Sequence, residues 1–412
     1  MSKTFCPLPF NHLYIKPDGS YLPCCRFSDW PDKKVEQIQD YDSLDDVLNK
    51  SKWLISIRED MLAGKKVKGC RACYIEEEAT NESMRTAEIH SWGDIDNEDY
   101  YPPKVSNIEI TFGNYCNLAC RTCGSSLSTS WEKDDKVLSK LYPDRGVVPR
   151  QSVKKEWKPE EFVNVKKLKI TGGEPMLHPD FLSFLDTIIA SGVSDRMEIQ
   201  IFTNTSFVPK KHLLERLCKF KEMGIWLSID GLGDVQEYTR HNSKWDIVEK
   251  SVERWFEFQN EHPKNVYICF APTITLYNIF YVQDMITWFF TKRDEILKDP
   301  SLRTNCTWNV ATWPFFNDIK HLPNKGRLTY DLKKFNIKLR KKYEKPAYPY
   351  CTLIERILDR LSMDAEPDKL IEFTQFNKDL DKLRNQKFTE TFPELYEQIK
   401  DVWDKTDGKL DK

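Results

Sequence analysis

Ile108-Glu109-Ile110-Thr111-Phe112-Gly113-Asn114-Tyr115-Cys116-Asn117-Leu118-Ala119-Cys120-Arg121-Thr122-Cys123 is the stretch that decides the fold. A short apolar, β-branched run leads into a loop whose cysteines are spaced C-x3-C-x2-C. Three thiolates on one loop can hold three corners of an iron–sulfur cubane. No fourth Cys stands at matching spacing, so one iron keeps an open position able to chelate a substrate or cofactor. Zinc usually wants four ligands, and no His lies close by in sequence.

Outward from this loop, strand-like and helix-like patterns alternate from about 104 to 322. The strand-like runs are Val105–Thr111, Val165–Thr171, Met197–Thr203, Ile225–Asp230, Val266–Thr275 and Cys306–Thr312. Amphipathic helical patterns lie between several of them, at Phe181–Ala190, Leu213–Met223, Asp246–Phe258 and Ile279–Phe290. Strand–helix repeats of this kind argue for an α/β fold on a parallel sheet, open or curved into a partial barrel. The remainder, 323–412, is charged and helical in pattern, with no cysteine cluster.

The first hundred residues hold a second cysteine set: Cys6, Cys24, Cys25, Cys70 and Cys73. Asp18-Gly19 between strand-like runs is a hairpin signal that brings Cys6 and Cys24 close together. Cys70-x2-Cys73 supplies two more thiolates. Four thiolates fill a 4Fe–4S cluster or a zinc site. An acidic stretch, Asp94 to Tyr101, followed by Pro102-Pro103, reads as a linker.

Composition narrows the function. The chain of 412 residues carries 62 Lys and Arg against 64 Asp and Glu, a net charge of −2. That balance does not point to nucleic acid or a membrane surface. No run is long and apolar enough for a membrane span, and Met1-Ser2-Lys3-Thr4-Phe5 offers no signal stretch, so a cytoplasmic protein is expected. In a reducing compartment, the eight of twelve cysteines that are grouped in this way read as metal ligands rather than disulfides.

The triad on its strand resembles the signature of the radical S-adenosyl-L-methionine (SAM) superfamily. The resemblance implies a partial (β/α)6 barrel over 104–322. It also implies a 4Fe–4S cluster on Cys116, Cys120 and Cys123 whose open iron binds SAM, and an electron donor of flavodoxin or ferredoxin type. Thr122 departs from the family, where an aromatic residue often precedes the third Cys. A Gly-Gly-Glu element should end the second strand, and Gly172-Gly173-Glu174 stands there; by resemblance it holds the SAM amino group. Thr203 and Asn204, at the end of the third strand, suit the ribose hydroxyls, though an Asn/Thr turn explains them equally. Ser228-Ile229-Asp230-Gly231 with Arg240 resembles the pattern of peptide-modifying members. It implies that Ser228 and Arg240 bind the SAM carboxylate and that Asp230 faces the substrate as the catalytic residue. The alternative for Asp230 is a helix cap.

Residues 1–100 resemble the twitch and SPASM auxiliary-cluster domains of the same superfamily, here placed before the barrel rather than after it. That likeness implies a second, auxiliary 4Fe–4S cluster on Cys6, Cys24, Cys70 and Cys73. The Asp-Gly-x-x-x-Pro-Cys run favours Cys24 over Cys25; structural zinc is the rival occupant.

The implied function is reductive cleavage of SAM, then hydrogen abstraction from a peptide or protein side chain. The alternatives are a small-molecule radical SAM dehydrogenase or cyclase, and a metal-binding scaffold without SAM chemistry. Gly172-Gly173-Glu174 favours the enzyme, since a scaffold does not need it. Cys218, on the apolar stripe of a helix, reads as a core thiol, as do Cys269, Cys306 and Cys351. Trp308 and Trp313 flank the end of the sixth strand as candidate substrate contacts.

Overall fold

The computed structural model describes residues 4–28, 36–80, 82–92, 101–307 and 309–411. Most of the acidic linker, 94–100, and Trp308 lie outside the described residues. The ten strands are β1 (His12–Ile15), β2 (Tyr21–Leu22), β3 (Asn107–Thr111), β4 (Ala119–Cys120), β5 (Lys167–Thr171), β6 (Glu198–Thr203), β7 (Glu222–Leu227), β8 (Arg240–His241), β9 (Val266–Phe270) and β10 (Thr304–Cys306). Eight form one mostly parallel sheet in the order β10-β9-β7-β6-β5-β3-β1-β2, while β4 and β8 pair separately. Five of the six strands read from the sequence are present with shifted ends, whereas β10 meets the sixth, Cys306–Thr312, at Cys306 alone. The fold is α/β with a helical extension, and among the described residues no helix is long and apolar enough to cross a membrane.

The chain divides into two compact units. One comprises Met1–Tyr115, Arg150–Ile201 and Glu215–Met223. Its hairpin turns at Gly19, whose φ of +84° is the left-handed region that favours glycine. Asp18 Oδ1 accepts from the Ser20 backbone at 3.0 Å, and β1 then runs antiparallel to β2. Unlike the expected separate module, this hairpin is part of the main sheet. β1 lies parallel to β3, with Leu13 opposite Ile108 and Tyr14 opposite Glu109. β3 lies parallel to β5 with Ile108 opposite Leu168, and β5 to β6 with Leu168 opposite Ile199. Alternation therefore puts Leu13, Ile108, Leu168 and Ile199 in one buried row, and Ile15, Ile110, Ile170 and Ile201 in the next. Each such side chain contributes about 1.5–3 kcal/mol of burial. The helix Phe181–Ala190 buries Phe181, Phe184, Leu185 and Ile188, the stripe read from its sequence.

The other unit comprises Cys116–Pro149, Phe202–Leu214 and Gly224–Lys412. Here β9 lies parallel to β10, with Cys269 opposite Asn305. The helices Gly326–Tyr343, Tyr348–Leu361, Pro367–Arg384 and Pro393–Lys405 make up the carboxy-terminal extension. It is not an appendage. Phe376 and Leu380 of Pro367–Arg384 share one core with Ala119, Trp131 and Leu138 of the cysteine loop, and Cys123 packs against that core. The expected helix Leu213–Met223 is shorter, Lys211–Leu217, because Glu222 and Met223 already belong to β7. Cys218 thus falls past the helix end and is exposed, correcting its reading as a core thiol, while Cys269, Cys306 and Cys351 are buried.

Candidate functional site

The triad loop is held by its own backbone and by distant side chains. Ser130 Oγ donates to the Cys116 carbonyl at 2.8 Å, and Trp131 Nε1 to the Cys120 carbonyl at 2.9 Å. β4 and β8 pair antiparallel, setting Cys120 opposite Arg240. Cys116 is buried, whereas Cys120 and Cys123 are half-buried. Burial and the neighbouring thiols of the triad raise the Cys120 pKa, and burial pushes that of Cys123 up to about 11. Two thiols kept protonated by burial, with Cys116 beside them on the same loop, are a donor set whose desolvation cost metal ligation offsets.

Beneath the loop sit three arginines that the sequence reading did not single out. Arg121 is fully buried. Its Nη1 donates to Asn377 Oδ1 at 2.7 Å, its Nη2 ion-pairs Asp381, and its guanidinium lies 3.7 Å from the Tyr238 ring centroid. Arg384 ion-pairs Asp134 at 2.8 Å and donates to the Ala119 carbonyl at 2.9 Å. Burial, reinforced by Arg121, pushes its pKa down to about 10. Arg145 pairs with Asp135 at 2.8 Å and donates to the Cys123 carbonyl at 3.3 Å. A cavity of about 790 Å³ opens beside Thr122 and Cys123, with Phe316, Phe376 and the exposed Trp313 on its walls.

Asn204 is buried and donates through Nδ2 to Cys116 Sγ at 3.5 Å and to Asn117 Oδ1 at 3.0 Å. Its Oδ1 accepts from the Ser206 backbone, and Thr203 Oγ1 accepts from the Thr205 backbone at 3.3 Å. Of the two readings of Thr203 and Asn204, the local turn is thus present, and the Asn204 amide is also aimed at a triad sulfur. Ser228 is half-buried at the end of β7, its backbone N donating to the Thr203 carbonyl at 2.9 Å. Asp230 is buried, and both its carboxylate oxygens are engaged: Oδ2 by Arg240 Nε at 2.8 Å and Oδ1 by the Thr273 backbone at 2.8 Å. Its geometry is that of a positioning residue that aims Arg240, whose charge Asp230 and then Cys120 reinforce.

In the other unit, the Gly172-Gly173-Glu174 turn is fitted against the end of β3. Gly172 has φ +133°, and a Cβ there would lie 2.6 Å from the Gly113 carbonyl oxygen, so only glycine fits. Gly173 N donates to the Gly113 carbonyl at 2.9 Å, and Glu174 N to the Tyr115 carbonyl at 2.7 Å. Glu174 is fully buried, its Oε1 accepting from the Met176 backbone at 3.3 Å.

The amino-terminal thiols converge as the hairpin reading expects: Cys6, Cys24, Cys70 and Cys73 line one cavity. Burial pushes Cys24 and Cys70 up to about 12 and raises Cys6 further. Cys25 turns away. Its thiol hydrogen-bonds Glu109, and burial, then the Glu109 charge, push it up to about 12 although the residue as a whole is exposed. Arg85 borders the cavity, donating to the Phe5 carbonyl at 2.7 Å and pairing with Glu77. Among the described residues, no three His, Cys, Asp or Glu side chains are drawn together as round a single metal ion.

Residues 110–273 match the family model of the Radical SAM superfamily, and residues 6–74 match that of SPASM, an iron–sulfur cluster-binding domain. GTP 3′,8-cyclase of Aliarcobacter butzleri is 26% identical over 159 residues, 38% of this chain and 43% of the cyclase. The match thus spans less than half of that relative. Among solved structures, native anSMEcpe with bound AdoMet is 16% identical, with a TM-score of 0.38 over 58% of this chain and 61% of that one. Streptococcus suis SuiB bound to S-adenosylmethionine is 14% identical, with a TM-score of 0.33 over 82% of this chain and 69% of SuiB.

Proposed function

We propose that this chain, whose residues 110–273 match a Radical SAM model and whose residues 6–74 match a SPASM model, is a radical SAM enzyme that abstracts hydrogen from a peptide or protein side chain. Its cofactors are a 4Fe–4S cluster, SAM and auxiliary iron–sulfur. The bound cluster and SAM together supply a 5′-deoxyadenosyl radical. Cys116, Cys120 and Cys123 would hold the SAM-binding cluster. The auxiliary cluster would sit on Cys6, Cys24, Cys70 and Cys73, since Cys25 points elsewhere.

The chain's own residues bind and orient. Gly172 lets the turn close against the Gly113 carbonyl, and Glu174 is assigned to accept from the SAM ammonium. Asp230 fixes Arg240, whose remaining guanidinium nitrogens suit the SAM carboxylate. Ser228 is assigned to that same carboxylate, and Thr203 with Asn204 to the ribose. Electrons would come from a flavodoxin or ferredoxin type of donor.

The observation that carries this reading is the buried three-thiol loop without a fourth cysteine. Its test is anaerobic reconstitution with SAM and a reductant. The expected result is slow release of 5′-deoxyadenosine, lost in a Cys116/Cys120/Cys123→Ala triple variant. Release unchanged in that variant would refute the reading. Gly172→Ala should weaken SAM binding without changing iron content.

The match to the GTP cyclase favours a second reading, a small-molecule substrate. Peptide and nucleotide arms of one 5′-deoxyadenosine assay separate the two: stimulation of release by only one class assigns the substrate.

A further inference from the structure

The sheet has two faces, and one carries more charge than packing needs. Strands in parallel sheets usually read as near-continuous apolar runs, because both faces are covered. β3 is buried at all five positions, yet it carries Asn107, Glu109 and Thr111. With their neighbours these make a polar surface opposite the isoleucine and leucine rows. Tyr14, Glu109 and Lys169 stand side by side on β1, β3 and β5. Lys169 Nζ lies 2.8 Å from Glu109 Oε1. One step along, about 6.6 Å away, the Thr111 and Thr171 hydroxyls are 3.1 Å apart, and the Tyr14 and Thr111 hydroxyls are also 3.1 Å apart. Thr171 is the residue before Gly172-Gly173-Glu174, so the polar rows lead to the end of β5 assigned above to SAM.

A buried ion pair is a weak stabiliser, and apolar side chains of similar size commonly do as well. The pair is also lopsided. The Glu109 side chain is 8% exposed, whereas that of Lys169 is 34% exposed. The carboxylate is enclosed and the ammonium is presented. Burial works against the lysine's charge, but Glu109 outweighs it and keeps the group cationic. Cys25, bonded to Glu109, closes the row at the hairpin end.

We propose that the Tyr14–Glu109–Lys169 row is a substrate-anchoring site that binds a carboxylate of the substrate through Lys169, with Glu109 as the positioning residue. This rests on the reading of Gly172-Gly173-Glu174 as the cofactor end, and it narrows the substrate to one bearing an acidic group near the reacting carbon. Tyr14 and the two threonines supply neutral hydroxyl donors beside the anion.

The test uses the full-length reconstituted protein and two probes: N-acetyl-alanyl-glutamyl-alanine amide and its glutaminyl counterpart. Acylation of Lys169 by acetic anhydride is followed by mass spectrometry, and binding by calorimetry. The glutamyl probe is expected to protect Lys169 and the glutaminyl probe is not. Lys169→Met should weaken glutamyl-probe binding about tenfold, the loss of one charge-assisted hydrogen bond. Lys169→Arg should retain binding, and Glu109→Gln should retain it, because the amide oxygen still positions the ammonium. A merely structural pair would give the opposite, with Glu109→Gln as damaging as Lys169→Met. Equal protection by both probes, or by neither, overturns the proposal. Release of 5′-deoxyadenosine without any peptide is read in parallel. Its absence from the unsubstituted protein would refute the cofactor reading independently of the probe result.

Discussion

The two cysteine sites share a ligand chemistry and differ in how they are held. Cys6, Cys24, Cys70 and Cys73 are gathered within one amino-terminal segment by a hairpin and short helices. Cys116, Cys120 and Cys123 sit on a single short loop, yet that loop is clamped from far away. Arg121 reaches Asn377, Asp381 and Gln386, and Arg384 reaches back to the Ala119 carbonyl. Thiols adjacent in sequence thus depend on remote support, while the dispersed thiols are supported locally. The difference follows from the open iron. A site with four protein ligands is tethered by its own donors, whereas a site that leaves one position for a cofactor needs its loop fixed from outside.

Four sets of substitutions bear on this contrast. The largest effect belongs to the triad. With two clusters of the 4Fe–4S type, the reconstituted chain holds about eight irons, and Cys116/Cys120/Cys123→Ala should leave about four. Iron analysis and the visible absorption of the remaining cluster check this. Loss of all iron would mean that the two sites do not load independently.

Next comes the clamp. Arg121→Met leaves Asp381 without its buried partner, a change worth about 3–5 kcal/mol. Chemical denaturation should show that loss, with iron leaving the triad first. Arg85→Met, the matched change beside the auxiliary cavity, should cost less, because the Arg85–Glu77 pair is the more exposed, at 10% and 17% against 0% and 13% for Arg121–Asp381. Equal costs would erase the contrast.

Smaller is the choice between adjacent thiols. Cys24→Ser should remove about four irons, and Cys25→Ser none. Iron loss from Cys25→Ser would reverse the assignment drawn from the Glu109 contact.

The smallest effect is on pH. Burial, then the Arg384 charge, lowers the half-buried His241 from 6.5 to about 4. The unfolded chain therefore binds a proton that the folded chain refuses, and stability falls as pH drops from 6.5 toward 4. Screening at a half-exposed ring reduces this to about 1 kcal/mol. His241→Gln should flatten that part of the stability–pH curve, and an unchanged slope would discount the histidine.

Legibility in the sequence followed separation along the chain. The triad and Gly172-Gly173-Glu174 are contiguous runs at strand ends, so spacing alone displayed them. Asp230 was visible as a carboxylate ending a strand. That Arg240 and the Thr273 amide both claim it depends on how a strand and two loops come together, which no local pattern records. β1 is only four residues long, and its partner β3 lies some ninety residues further on, so nothing near His12–Ile15 announces a parallel pairing. Arg121 looked like any loop arginine. The helix Pro367–Arg384 fell within a stretch read only as charged and helical. Cys218 kept the helical period one residue past the point where the helix stops.

The reach from Arg121 to Asn377 also sets an order of events during synthesis. These partners are 256 residues apart. At about 5–20 residues per second, the clamp cannot close until on the order of 10–50 s after the cysteine loop has been made. Throughout that interval the three thiols are open to a cluster-delivering protein. Once Pro367–Arg384 folds, Phe376 and Leu380 seal the core on which Cys123 rests. Iron loading is therefore easiest on the nascent chain. A pulse of iron starvation during translation should leave a folded population that takes up its triad cluster far more slowly than its auxiliary one.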